Sequence, residues 1–357
     1  MPARRVPGTA AVLAVGVATA GLVAACSPSA PAPASTRASA AVSSGGVPAA
    51  SAATPAASAP GASASAASAG RLTVTTLATH LPTPSSRMVV LAVGDRLLLL
   101  GGLAGGSTTA NVLTLDPGTG ATSVVGHLAQ PTHDAGGAVL GGRAVVLGGG
   151  VNASTDPVQA IATTGGTGTV VGHLPQARSD HAVAVDGGTA YVVGGYAATA
   201  ELADVLATTD GTTFRTVAHL PTTVRYAAAA VAGGALWVLG GEHSGTPVDL
   251  VQRIDLTSGA VTVAGHLPAP LSHAAAATLG GAVLVVGGTR GAAHQDVVYR
   301  LDPASGQVTA VGHLPAPTSD PGMAVLGDSA YVVGGETADA AGKTSALSTV
   351  VRIQPAP

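Results

Sequence analysis

The sequence predicts an all-β fold from three observations. A Gly-Gly pair recurs six times after residue 71, at steps of 46 or 47 residues, and a His-Leu pair keeps the same step. Each repeat holds four short valine-rich segments bounded by Gly, Pro, Asp or Ser. No segment carries apolar residues at helical spacing over three turns. Four strands per repeat of this length are typical of a propeller blade, so we predict a six-bladed β-propeller of four-stranded blades.

The two markers of the repeat stay in phase along the chain, which excludes a chance repetition. The doublets begin at Gly101, Gly148, Gly194, Gly240, Gly287 and Gly334. The histidines are His80, His127, His173, His219, His266 and His313. Each histidine ends the fourth, outermost strand of a repeat, too far from the axis to share one metal ion. We therefore predict a structural capping role for them and no metal site.

The two ends of the repeat region are complementary. The first unit begins with an extra strand, "RLTVTTLA" at residues 71–78, whereas the last unit has a third strand at residues 349–354 and no fourth. Pairing the N-terminal strand with the C-terminal blade closes the ring and covers two edges that would otherwise be exposed. The predicted propeller domain therefore spans residues 71–357.

The repeats resemble those of the kelch family. Kelch repeats carry a Gly-Gly doublet behind an aromatic residue, and here Tyr191, Trp237 and Tyr331 stand in "YVVGG" or "WVLGG". They also carry an Asp-containing turn between the third and fourth strands, matched by "LDPGTG" at residues 115–120 and "LDPASG" at residues 301–306. Glycine at both doublet positions predicts a close backbone approach that no side chain would allow.

One departure from the kelch pattern concerns the tryptophan that usually follows this turn. Aliphatic residues replace it, such as Val125, Val171 and Val263. We expect the blades to pack through Val, Leu and Ala instead.

The beginning of the chain has the pattern of an export signal. Arg4 and Arg5 precede an apolar run of small residues that stops at Cys26, so residues 1–25 are predicted to be a signal peptide. "VAAC" resembles a bacterial lipobox, which implies that Cys26 is acylated and anchors the protein to membrane lipid on the outer face of the cytoplasmic membrane. The alternative is an uncleaved membrane anchor with an incidental cysteine.

Composition limits the remaining possibilities. Residues 26–70 are almost entirely Ala, Ser, Pro, Gly and Thr after the cysteine, which predicts a disordered tether. Charged residues make up 9% of the chain and its formal net charge is −3, so we expect no nucleic-acid partner. Cys26 is the single cysteine, so the propeller has no disulfide or thiol nucleophile. We expect a monomer without a cofactor.

Polar residues recur six to eight positions after each histidine of the repeated His-Leu pair, where the inner strand begins. The candidates for ligand binding are Arg87, His133, Asp134, Asp180, His181, Arg225, Tyr226, His273 and Asp320. Their common offset places them around one mouth of the central channel. They either line the channel structurally, by satisfying carbonyl groups and water, or contact a ligand. The variable loops between second and third strands should lie on the same face.

Two functions fit these residues. The first is a binding module for an extracytoplasmic glycan or protein, and it is the one we favour. The second, implied by the kelch resemblance, is an epimerase, mutarotase or lyase that acts on acidic sugars. In that case Arg87 and Arg225 would hold a carboxylate, and His133 or His273 would move a proton. No catalytic residue is assigned from the sequence.

Overall fold

The computed structural model describes residues 71–356, which form strands, turns and loops. The predicted signal peptide at residues 1–25, the lipid-anchor residue Cys26 and the tether lie outside the described residues. Between residues 71 and 356 there is no helix with the length and apolar character needed to cross a membrane.

The first three repeats each contribute four main strands, and the first and third add a small hairpin. The chain begins with β1 (Leu72–His80), which belongs to the last blade. Blade 1 contains β2 (Ser85–Ser86), β3 (Val89–Val93), β4 (Arg96–Leu100), β5 (Leu103–Ala104), β6 (Ser107–Thr108), β7 (Asn111–Leu115) and β8 (Thr122–His127). Blade 2 contains β9 (Gly136–Leu140), β10 (Arg143–Leu147), β11 (Pro157–Ala162) and β12 (Gly165–His173). Blade 3 contains β13 (Ala182–Asp186), β14 (Thr189–Val193), β15 (Tyr196–Ala197), β16 (Ala200–Glu201), β17 (Asp204–Thr208) and β18 (Arg215–His219).

The last three repeats follow the same plan. Blade 4 contains β19 (Ala228–Ala232), β20 (Ala235–Leu239), β21 (Glu242–His243), β22 (Thr246–Pro247), β23 (Leu250–Asp255) and β24 (Val261–His266). Blade 5 contains β25 (Ala275–Leu279), β26 (Ala282–Val286), β27 (Thr289–Arg290), β28 (Ala293–His294), β29 (Val297–Leu301) and β30 (Val308–His313). Blade 6 contains β31 (Gly322–Leu326), β32 (Ser329–Val333), β33 (Glu336–Ala338), β34 (Thr344–Ala346) and β35 (Thr349–Pro355).

The blades form a closed propeller, as predicted. The inner strands β3, β9, β13, β19, β25 and β31 each contact the next one, and β31 contacts β3. They surround a channel of about 390 Å³ that is lined by Val, Ala, Leu, Gly, Met and one threonine. Buried clusters of Val, Leu and Ala lie between successive blades.

The N-terminal strand completes the last blade. β1 pairs antiparallel with β35, with Leu72 opposite Pro355 and Thr76 opposite Val351. The sheet order β1, β35, β32, β31 makes β1 the fourth strand that the last repeat lacks. The predicted closure is therefore present.

The number of separate sheets differs from the prediction. Blades 1 and 2 merge into one eight-stranded sheet, because β12 pairs in parallel with β8, so the six repeats form five blade sheets instead of six. Gly126 and Gly166 lie opposite each other, and a Cβ on Gly126 would meet backbone atoms of Gly166. The extra length of β12 and the lack of side chains at this crossing allow the two blades to join.

The Gly-Gly doublets hold neighbouring blades together. Both glycines of every doublet have positive φ angles. The second glycine donates its N–H to a carbonyl of the next blade, for example Gly241 to Leu271 at 2.8 Å. A Cβ on the preceding residue, Gly240, would lie 2.1 Å from that same carbonyl oxygen. The close approach predicted from the sequence is present at all six doublets.

The expectation that aliphatic residues pack where kelch repeats have a tryptophan is only partly correct. Val125 and Val171 are partly buried and pack against core clusters. Val263 is 48% exposed. It stands three residues before the repeated histidine of its blade, whereas Val125 and Val171 stand two residues before theirs, so its side chain points to the other face of the strand. The aromatic residues before the doublets, Tyr191, Trp237 and Tyr331, are buried in the core.

Candidate functional site

A closed ring of backbone hydrogen bonds crosses the upper end of the channel. It is formed by one residue from each blade, which stands two positions before the first residue of the inner strand. We call these six the ring residues: Arg87, Asp134, Asp180, Tyr226, His273 and Asp320. The N–H of each ring residue donates to the carbonyl oxygen of the ring residue in the preceding blade, at 2.8 to 3.3 Å. The last bond, from Arg87 to Asp320, closes the circle.

The ring residues share an uncommon backbone conformation. All six have φ between 49° and 59°, in the left-handed region. Six of the eight non-glycine residues with positive φ in the described chain are ring residues. Aspartate tolerates this region, whereas arginine and tyrosine are disfavoured there. The chain uses glycine for most other positive φ angles, so the ring keeps these side chains at a conformational cost.

Arg87 pairs with carboxylates from both neighbouring blades. Its guanidinium lies 3.2 Å from Asp134, 3.8 Å from Asp320 and 2.9 Å from Glu336. Burial lowers the pKa of Arg87, but the attraction of Asp320 and Asp134 raises it by more, so the net pKa lies above the usual value. Arg87 therefore stays charged and joins blades 6, 1 and 2 across the closure.

His273 and Asp320 form a second pair within the ring. Nδ1 of His273 lies 2.7 Å from Oδ1 of Asp320, and the imidazole stacks on Tyr226 with ring centroids 3.8 Å apart. Burial lowers the pKa of His273, but the hydrogen bond to Asp320 raises it above the usual value. Burial raises the pKa of Asp320, and His273 more than offsets this, so its pKa is lowered.

Arg225, which precedes ring residue Tyr226, is also paired. Its guanidinium lies 2.9 Å from Oε2 of Glu242. The guanidinium carbon lies 5.1 Å from the ring centroids of both Tyr196 and Tyr226. Arg225 is thus held by an ion pair and by two cation–π contacts.

Asp180 is the ring carboxylate without an ion pair in the described chain. Burial, followed by repulsion from Asp134, raises the pKa of Asp180 to about 6. Arg225 acts on this carboxylate only from beyond ion-pair distance. Burial also raises the pKa of Asp134, against the attraction of Arg87. Asp180 therefore carries a poorly compensated charge at neutral pH.

A recess of about 390 Å³, which we call the mouth cavity, lies beside the ring. Its walls are the blade 2 loop at residues 150–154, Tyr196 and Ala198 from blade 3, and the side of the ring that bears Asp134, Asp180 and Tyr226. A narrower space of about 130 Å³ at the ring itself separates this cavity from the channel. The loops between second and third strands thus lie on the same face as the ring residues.

Eight of the nine sequence-predicted residues lie at this mouth. Six are the ring residues, and His133 and Arg225 precede two of them and line the mouth cavity. Nδ1 of His133 lies 2.9 Å from the hydroxyl of Thr108, and its Nε2 lies 3.6 Å from Asp134.

The ninth residue, His181, lies below the ring. Its Nε2 accepts a hydrogen bond from the Gly136 N–H of the neighbouring blade at 3.2 Å. Burial, together with nearby Arg178, lowers the pKa of His181 to about 3, so the imidazole is neutral. His181 thus makes a structural contact between blades 2 and 3, and it also lines the narrower space at the ring, so its contact with a ligand stays a prediction.

The repeated histidines are exposed at the ends of the fourth strands, while the leucines that follow them are buried. Three of the histidines bond the aspartate just ahead of their own blade's third strand: His173 to Asp156 at 3.2 Å, His266 to Asp249 at 3.0 Å, and His313 to Asp296 at 3.0 Å. The repeated leucine fills the core.

Several residues at the mouth were not singled out from the sequence. Tyr196, Glu242 and Glu336 each directly follow a Gly-Gly doublet, and each pairs through its backbone with the residue before a ring residue. The shared offset from the doublet was the available signal. Arg178 was also missed: it is fully buried and lies 2.7 Å from Asp204.

Comparisons with known proteins agree with this geometry. A family model described as the KLHDC2/KLHL20/DRC7 Kelch-repeats domain matches residues 163–335. The solved structure titled "Structure of YjhT" is similar with a TM-score of 0.65 and 18% identity, over 77% of this chain and 99% of that chain. No curated protein matches the sequence. At this identity the structural likeness shows the fold and carries no activity with it. The doublets, the closed ring of blades and the structural likeness show that residues 71–356 form a β-propeller, and residues 163–335 of it match a kelch-repeat family model.

Proposed function

We propose that this propeller is a binding module that holds a small glycan in the mouth cavity. The observation that carries the proposal is the choice of ring residues. The backbone ring needs only left-handed residues, and glycine would supply it at the lowest cost. Arg87, Tyr226 and His273 occupy those positions instead, so their side chains have a role beyond the hydrogen-bonded circle.

The size and lining of the mouth cavity support a small ligand. Its volume of about 390 Å³ lies within the usual range for small-molecule sites. Two of the chain's five tyrosines line it, beside carboxylate and guanidinium groups. Tyrosine combines an apolar ring with a polar tip, which suits the mixed surface of a sugar. A protein partner would favour a flatter surface than this recess.

The pairing of both arginines argues against the alternative of an enzyme for acidic sugars. That activity requires Arg87 and Arg225 to bind a ligand carboxylate, yet each guanidinium already contacts carboxylates of the protein. Of the proposed proton carriers, His273 is held by Asp320 at 2.7 Å. A glycan that offers hydroxyl groups requires none of these ion pairs to break.

A glycan array followed by calorimetry with the full chain tests this proposal. We expect Ala153→Trp, which fills the lip of the mouth cavity, to weaken the bound glycan at least about tenfold. Ala341→Trp is the matched control, because Ala341 is an exposed loop residue that does not line the cavity. Equal binding by wild type and Ala153→Trp, or a protein ligand with no glycan ligand, would contradict the proposal.

We also propose that the protein is an exported lipoprotein anchored through Cys26 on the outer face of the membrane, as the sequence predicts. Supporting this arrangement, β1 runs toward the mouth, because His80 leads into Arg87 within a few residues. Arg71 therefore lies on the opposite face, where it accepts a hydrogen bond from Ala356. Fatty-acid labelling that persists in Cys26→Ser would contradict the anchor.

A further inference from the structure

The charged groups of the ring and its ion-pair partners are unbalanced. Five carboxylates lie in the ring or contact its cations: Asp134, Asp180, Asp320, Glu242 and Glu336. The basic groups that face them are two arginines, Arg87 and Arg225, and two imidazoles, those of His273 and His133. Arg87 is shared among three carboxylates, and Arg225 is paired with Glu242. The negative charge is therefore in excess at this end of the propeller.

The excess is concentrated at Asp180. Its neighbour Asp134 has Arg87 at 3.2 Å, and Asp320 has His273 at 2.7 Å. Asp180 has no cation of the described chain within ion-pair distance, although it lines both the mouth cavity and the narrower space at the ring. A half-buried carboxylate without a counter-charge is costly, and a ligand cation placed beside it would offset that cost.

We propose that the ligand carries a protonated amine that pairs with Asp180, so that the mouth cavity selects amine-bearing sugars over neutral and acidic ones. This inference rests on the proposed function, because it concerns the same cavity. A neutral sugar would leave Asp180 without a counter-charge, and an acidic sugar would add a sixth carboxylate.

The other polar groups leave the amine one place to bind. Arg225 already contacts the faces of Tyr196 and Tyr226, so these rings do not offer a free cation–π site on that side. Tyr226 is also stacked on His273. Asp180 stands between Asp134 and Tyr226 in the hydrogen-bonded circle, and its carboxylate is the acceptor that remains for a ligand cation.

Four β-1,4-linked disaccharides of similar shape test the selectivity: the glucosamine disaccharide, its N-acetylated form, cellobiose and its glucuronate-containing counterpart. Calorimetry with the full chain at pH 7 and low salt should give binding of the glucosamine disaccharide at least about tenfold tighter than the other three. In Asp180→Asn the four should agree within about twofold. Asp186→Asn, which changes an exposed aspartate at the end of β13, the strand that follows Asp180, should keep the wild-type preference.

The outcomes separate this inference from the proposed function. If a neutral or acidic disaccharide binds as tightly as the glucosamine form, and Ala153→Trp blocks that binding, the amine inference is wrong and the glycan-binding function stands. If none of the four binds, the inference is wrong, and the glycan array decides the proposed function independently. If the preference persists in Asp180→Asn, the amine does not pair with Asp180.

A second readout is the proton balance of binding. A ligand cation beside Asp180 lowers the pKa of that carboxyl from about 6, so binding at pH 6 should release protons. Calorimetry in two buffers of different ionisation enthalpy measures this release. Release in wild type that disappears in Asp180→Asn supports the pairing, whereas identical proton release in both proteins would contradict it.

Discussion

At the scale of single residues, the ring positions combine two requirements that conflict. The backbone circle needs a left-handed residue in every blade, and the mouth needs polar side chains at the same six places. Asp180 shows the conflict most clearly, because its carboxylate is half-buried, faces Asp134 and has no ion pair among residues 71–356. Charged groups kept in unfavourable surroundings are typical of functional sites, where stability is given up for binding.

Asp180→Asn should therefore raise stability while it weakens ligand binding. The folded-state pKa of about 6 lies above the ordinary value of 3.8, so the charged carboxyl destabilises the fold increasingly between pH 4 and pH 6, and fully above pH 6. At pH 7.5 we expect the substitution to add about 2 kcal/mol to the free energy of unfolding, and near pH 3.5 almost nothing. Urea unfolding at both pH values measures this. A loss of stability at pH 7.5 would contradict the environment described for Asp180.

The sequence predicted all six ring residues, because they recur at one offset from a repeated marker. It did not separate them from neighbours such as His133 and His181, since backbone conformation decides which of two adjacent polar residues joins the circle. The ion-pair partners Glu242 and Glu336 were not predicted, for a different reason. They reach the ring residues from a different part of the repeat or from another blade, and such pairing leaves no local pattern in a single sequence.

At the scale of elements, the Gly-Gly doublets set the spacing between blades. Each one places a backbone N–H against a carbonyl of the next blade, at a distance that excludes a side chain. The four main strands of each repeat were predictable from valine-rich runs and turn residues. The hairpins after the doublets were predicted as loops, because strands of two or three residues are too short to show an alternating pattern.

The doublets provide a matched pair of substitutions. Gly240 and Gly234 both have positive φ, at 62° and 71°, but a Cβ at Gly240 would lie 2.1 Å from the Leu271 carbonyl oxygen, whereas Gly234 has open space around it. We expect Gly240→Ala to lower the free energy of unfolding by at least about 3 kcal/mol, and Gly234→Ala by about 1 kcal/mol from backbone strain alone. Equal losses in denaturant unfolding would show that the doublet is not a tight interblade contact.

At the scale of the whole molecule, ring closure is what brings the polar residues to one axis. Arg87 belongs to the first repeat and its partners Asp320 and Glu336 to the last, so this cluster exists only when β1 completes blade 6. The complementary ends of the repeat region predicted this pairing. The merging of blades 1 and 2 was not predicted, because it depends on Gly126 meeting Gly166 across two blades, which no repeat period reveals.

Hydrogen exchange measured by mass spectrometry tests the closure most directly. In wild type, the amides of Leu72–His80 and Thr349–Pro355 should exchange slowly and together. Leu77→Asp, at a partly buried position of β1, should expose both segments and the ring residues of blades 1 and 6, whereas Val124→Asp, at the equivalent position of β8 that is 54% exposed, should leave them protected. Rapid exchange of Leu72–His80 in wild type, with the other strands still protected, would contradict the closed ring.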